Sequence, residues 1–109
     1  MNFSDYQQKA RQTAKYPVIG QGVIYPTLGL ASETGEVAGK IKKIFRDKDG
    51  IFGDTDLESL KAELGDVLWY LAQVSTELHF SLDEIAESNI KKLMDRLERG
   101  KIQGDGDNR

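Results

Sequence analysis

Cysteine is absent from this sequence, which excludes a disulfide framework and thiolate metal ligands alike. His79 is the only histidine and cannot build a histidine metal site alone. Any metal here must be held by oxygen, which favours a hard cation such as Mg²⁺, Mn²⁺ or Ca²⁺. Long apolar runs are also missing: none approaches the ~20 residues that span a bilayer. The opening Met1-Asn2-Phe3-Ser4-Asp5-Tyr6 lacks the basic and apolar regions of a secretory leader. A cytoplasmic protein with no membrane partner is expected. Nor does charge of one sign dominate. With 15 basic and 18 acidic side chains interspersed and a net charge of −3, nothing provides an electrostatic grip on a nucleic acid polymer. A chain of 109 residues makes one domain with a modest core, so oligomerisation is expected.

What is present is helical periodicity. Alternating strand patterns are scarce and a 3.6-residue apolar period is plain, which predicts an all-α fold, a four- to five-helix bundle. The first helix covers about residues 4–15, with Ser4 and Gln7 as a capping box and Tyr16-Pro17 as its stop. Residues 17–25 form a loop. The second helix starts near Thr27 and runs to about Arg46, with Leu30, Val37, Ile41, Ile44 and Phe45 as its apolar stripe. After a turn-rich connection, Thr55 and Glu58 form a capping box that opens a third helix running to about His79. Its stripe is Leu57, Leu60, Leu64, Val67, Leu71, Val74 and Leu78. Ser81 and Glu84 cap a fourth helix that ends near Gly100. Residues 1–100 thus form the domain. Residues 101–109 are a glycine-rich tail, either disordered or a flexible flap.

The second and third helices each carry a pair of acids three residues apart, Glu33 with Glu36 and Glu63 with Asp66. Residues at this spacing are neighbours on a helix. At ~100° per residue, Glu33 and Glu36 lie about 60° and 120° to one side of Leu30, on the flank of the apolar stripe. Glu63 and Asp66 lie about 100° and 160° to the same side of Leu64. The short connection implies an antiparallel pair, whose like flanks lie on one side. The two pairs also match in depth along their helices to about 3 Å, at 1.5 Å per residue. Four carboxylates therefore converge beside the core, an arrangement that is unfavourable unless a cation neutralises it. The plainer reading is a solvated acidic face, with Glu36 supported by Lys40 at i,i+4. Gly29, Gly35, Gly39 and Gly65 each weaken a helix by about 1 kcal/mol relative to alanine, which points to close helix approach, room for a ligand, or tight packing alone.

In this setting, Gly29-Leu30-Ala31-Ser32-Glu33-Thr34-Gly35-Glu36-Val37 and Lys61-Ala62-Glu63-Leu64-Gly65-Asp66-Val67-Leu68-Trp69-Tyr70 resemble the MazG-type all-α nucleoside triphosphate pyrophosphohydrolases. That family carries Glu-x-x-Glu, a spacer, then Glu-x-x-Asp. The likeness extends from about Leu28 through Arg109, and residues 1–25 match only as a helix of the expected kind. It implies that Glu33, Glu36, Glu63 and Asp66 bind Mg²⁺, with Mn²⁺ possible, and that water attacks the α-phosphorus of an NTP or dNTP. Glu36, with Glu33, is the catalytic candidate, Glu36 as general base. The family also has an Asn followed by Lys and Arg in the fourth helix, matched by Asn89, Lys92 and Arg96. Lys92 and Arg96 would contact phosphate oxygens, or else pair with the acid cluster and balance it. Tyr70, four residues after Asp66, puts a hydroxyl on the same flank. Lys40 and Lys43 fall near it too, but exposed helix lysines are common.

Trp69 points about 160° from its own helix stripe, which reads as a subunit interface, in keeping with a family of dimers and tetramers. His79 is a helix C-terminal dipole partner or simply exposed. Two narrower readings of the same fold are a dUTP and a phosphoribosyl-ATP pyrophosphohydrolase. The rival of a different class is a non-catalytic helical interaction module.

Overall fold

The computed structural model describes all 109 residues as four helices, the last three joined by short connections and the first by the longer segment 12–23. They are α1 (Phe3–Arg11), α2 (Ile24–Lys48), α3 (Asp54–Glu77) and α4 (Leu82–Glu98). No strand forms; one isolated bridge joins Ile19 and Gln21. No helix is long and apolar enough to cross a membrane.

Helix α2 begins about one turn earlier than expected, because Pro26 does not stop it. In the first turn a backbone N–H has no intrahelical partner, so proline is tolerated there. Helix α3 opens at Gly53, not through Thr55 and Glu58: the Asp56 carboxylate accepts from the Gly53 N–H at 3.0 Å. Helix α4 opens as expected, with Ser81 and Glu84 each accepting from the other's backbone N–H. Helix α1 is shorter than expected and is capped by Asn2, whose side chain accepts from the Asp5 N–H at 2.8 Å.

Gln7 is thus no part of a cap. Its amide donates to Thr76 Oγ1 at 3.0 Å and to the Phe80 carbonyl at 2.9 Å, and its carbonyl accepts from the Leu82 N–H at 2.8 Å. One side chain ties α1 to the α3–α4 turn. That turn is a Schellman closure, with Phe80 N–H on Ser75 O and His79 N–H on Thr76 O. His79 occupies its left-handed position at φ 64° and is exposed.

Helices α2 and α3 form the central hairpin. Lys40 meets Ser59 and Glu63, and Lys48 meets Asp56; this reversed order makes the pair antiparallel. Their seam buries Ile44 and Leu60. The rest of the predicted stripe is less well covered. Leu57, Leu64 and Leu71 of α3 and Leu78 at its C-cap, spaced by sevens, remain 51%, 56%, 37% and 48% exposed. The reason is that α3 is apolar on more sides than α2 and the short α1 can cover. The radius of gyration, 16.9 Å, exceeds the ~13 Å usual for a compact domain of about 100 residues. Residues 101–109 carry no helix and turn back along α4, where Arg109 donates to the carbonyls of Lys101, Ile102 and Gly106.

Candidate functional site

The acidic pairs meet across the α2–α3 seam. Each pair spans one turn of its helix, and the antiparallel hairpin brings carboxylate oxygens of Glu33, Glu63 and Asp66 within 4.8 Å of one another. Glu33 and Glu63 are half-buried and Asp66 is exposed. Burial pushes the Glu33 carboxyl up, reinforced by a hydrogen bond with Glu63 and by the charges of Asp66, Glu63 and Glu36. Like charges this close oppose joint ionisation, and a cation relieves the conflict. The donor set is all oxygen. Ligand oxygens about 2.1 Å from Mg²⁺ lie ~3–4 Å apart in an octahedron, so small rotamer changes would seat the three acids on one such ion. The residues fit a hard divalent cation.

Glu36 stands apart. It is exposed and outside the three-oxygen group, although its charge is felt at Glu33. Tyr70, one turn beyond Asp66, lies against Gly29, where a Cβ would overlap its ring. This explains the first of the four helix-interior glycines as a close approach. Gly35, Gly39 and Gly65 face open space. Burial, then the neighbouring Tyr25, Glu33 and Asp66, push the Tyr70 phenol up.

At the Tyr70 end of the acids lies an aromatic group. Trp69 meets Tyr70 edge-on at 5.0 Å and Tyr16 edge-on at 6.2 Å, and Tyr16 stacks on Tyr25 at 5.7 Å. Trp69 also donates its indole N–H to Thr13 Oγ1 at 2.9 Å. The expected interface tryptophan is therefore occupied within its own chain, by the segment that follows α1. Helix periodicity shows only that a side chain points away from its stripe, not what comes to cover it.

The opposite end of the acids is basic. Lys40 Nζ lies 3.6 Å from Glu63 Oε1 and 2.7 Å from Ser59 Oγ. Beyond it a groove of about 200 Å³ is lined by Lys40, Lys43, Lys48, Asp56 and Ser59, among others. In the sequence Lys40 looks like any exposed helix lysine. The available signal was its position two turns after Glu33, on the same face.

The α4 candidates make no hydrogen bond or ion pair with the acids. Asn89 and Lys92 line a groove with Phe80, Glu84, Ile85 and Ser88. Arg96, only 3% exposed, donates to the backbone carbonyl and the carboxylate of Asp107, and Lys92 Nζ lies 3.2 Å from the same carboxylate. A tail acid, and not the acid cluster, balances both cations. Lys92 and then Arg96 hold the Asp107 carboxyl below its usual range.

The model of the MazG nucleotide pyrophosphohydrolase domain matches residues 25–100, from the start of α2 past the end of α4. The chain belongs to the MazG family. The matched span includes both acidic pairs and the α4 cations, whereas Tyr16 and Thr13, which cover Trp69, precede it. Gene 37 protein of Mycobacterium phage L5 is 46% identical over 114 residues, covering 100% of both chains. No solved structure matches this MazG protein.

Proposed function

We propose that this protein is a Mg²⁺-dependent nucleoside triphosphate pyrophosphohydrolase, converting an NTP or dNTP to the monophosphate and pyrophosphate in nucleotide-pool housekeeping, with Mn²⁺ as an alternative ion. The observation that carries this reading is the convergence of Glu33, Glu63 and Asp66 oxygens within 4.8 Å, in a chain of the MazG family. A divalent cation held there would lower the pKa of the attacking water and neutralise charge growing on the leaving group.

The protein's own part follows from its residues. Glu36, outside the three-oxygen group, is free to accept the proton of the water as its oxygen bonds to the α-phosphorus and the bond to the bridging oxygen of the β-phosphate breaks. The Tyr70 hydroxyl, half-buried next to the acids, donates a hydrogen bond to an α-phosphate oxygen. Asn89, Lys92 and Arg96 contact substrate from α4. Lys92 and Arg96 already hold an anionic group, the Asp107 carboxylate, and would exchange it for phosphate.

The exposed leucine row on α3 and the extended shape support a homodimer or homotetramer. Burying such a row offsets the small core of the single chain. The decisive experiment is pyrophosphate release from a panel of NTPs and dNTPs, with Mg²⁺ and with EDTA, for the wild type and Glu63→Gln. Metal-dependent release lost in the variant is expected. A wild type that releases none from any nucleotide would refute the enzymatic reading.

A further inference from the structure

The α2–α3 seam has a polarity. Read along α2 from its start, aromatic side chains come first (Tyr25, with Tyr70 against Gly29), then the acids at Glu33, Glu63 and Asp66, then the lysines. A nucleoside triphosphate has a matching order of chemistry: a flat base, a reacting α-phosphate that needs cations, and an anionic end carrying the β and γ groups. We infer that the β- and γ-phosphates lie in the groove beyond Glu63, held by Lys40 and Lys43, so that the substrate runs along the seam with its base toward Tyr70. This rests on the pyrophosphohydrolase reading and gives that site a direction.

The groove's own charges favour the assignment. Of its two acids, Asp47 is paired with Arg46 at 2.8 Å and Asp56 with Lys48 at 2.8 Å. Lys43 has no carboxylate within salt-bridge distance. Lys40 is shared between Ser59 Oγ at 2.7 Å and Glu63 Oε1 at 3.6 Å, the latter too long for a strong hydrogen bond. Two ammonium groups and the Ser59 hydroxyl are thus available to an anion, with Lys43 displaced ~4.5 Å from Lys40 along the helix. That offset lets one lysine meet each of two successive phosphates. The α4 cations, by contrast, pair with none of the cluster acids and reach phosphate only by releasing Asp107. Lys40 also bridges a candidate metal ligand and the groove. Binding of the anionic end would therefore draw it away from Glu63, leaving that carboxylate to the cation.

The test uses the two products as separate probes, because only pyrophosphate carries the groups assigned to the groove. Binding of inorganic pyrophosphate and of a nucleoside monophosphate, each with Mg²⁺, is measured by calorimetry. The proteins are the wild type, Lys40→Gln, Lys40→Arg, Lys43→Gln and Lys92→Gln, with helix content checked by circular dichroism. Lys40→Gln should weaken pyrophosphate about tenfold or more, the loss of one charge-assisted contact. Monophosphate affinity should stay within about twofold, and Lys40→Arg should restore pyrophosphate binding. Unchanged pyrophosphate binding in Lys40→Gln, with or without a loss in Lys92→Gln, overturns the assignment. Equal weakening of both products also overturns it, since Lys40 would then act only on the metal ligands. A wild type that binds neither product and hydrolyses no nucleotide removes the pyrophosphohydrolase reading itself. A wild type that hydrolyses nucleotides while Lys40→Gln binds pyrophosphate normally removes only the groove.

Discussion

Adding Mg²⁺ to the metal-free protein should raise its melting temperature, and Glu63→Gln should abolish that response. Metal binding to the folded chain alone stabilises it by RT ln(1 + [L]/Kd), about 1.4 kcal/mol when Mg²⁺ is at ten times Kd. For a domain of this size that corresponds to about 5 °C. The effect also has a definite pH dependence. The Glu33 carboxyl is raised in the folded state by burial, by Glu63 and by the neighbouring negative charges. Its folded form therefore holds its proton more tightly than the unfolded chain does. The metal-free protein loses stability as pH rises from the ordinary carboxylate range through that raised value. Mg²⁺ should thus contribute little in acid, where it competes with the proton, and fully at neutral pH. Thermal melts followed at 222 nm, at several pH values and with Mg²⁺, Mn²⁺ or Ca²⁺, measure this directly. No shift with any of the three ions at neutral pH would refute the reasoning that Glu33, Glu63 and Asp66 form a cation site.

Gly29→Ala should destabilise the protein by about 1–3 kcal/mol and raise KM in the proposed reaction, because the added Cβ overlaps the Tyr70 ring; a chemical melt and steady-state kinetics check both. Gly35→Ala meets nothing and should stabilise α2 by up to about 1 kcal/mol; a clear loss instead would place a neighbouring copy against that stretch. Leu64→Glu, on the exposed leucine row, should lower the oligomeric mass in sedimentation equilibrium while keeping helix content. His79→Gly should stabilise by about 1 kcal/mol, because the left-handed backbone at φ 64° strains any residue with a Cβ; unchanged or lower denaturation midpoints would count against this.

Much of the architecture was legible because helix periodicity is local. Apolar spacing located α2, α3 and α4 to within a few residues, and Ser81 with Glu84 marked the start of α4. The caps of α1 and α3 differ from those the local pattern predicts, for a definite reason. Several adjacent polar residues can satisfy a helix N-terminus, and tertiary demands chose among them. Gln7 serves Thr76, Phe80 and Leu82, which leaves Asn2 to cap α1. Pro26 marked a boundary only if proline is assumed to lie outside the helix.

The sequence by itself determined the all-α class, the antiparallel hairpin, and the presence of two acidic pairs on matching flanks at matching depth. All of these follow from the 3.6-residue repeat, a short connection and the spacing of the acids. The tertiary structure alone decided that Glu33, Glu63 and Asp66 converge while Glu36 stands outside. It also decided that Lys40 joins them, that Trp69 is covered by its own chain, that Asp107 engages Lys92 and Arg96, and that a leucine row stays open. Each of these depends on how far one helix is rotated and shifted against another, and on which distant segment folds over it. A rotation of a few tens of degrees exchanges one set of neighbours for another without changing any local preference.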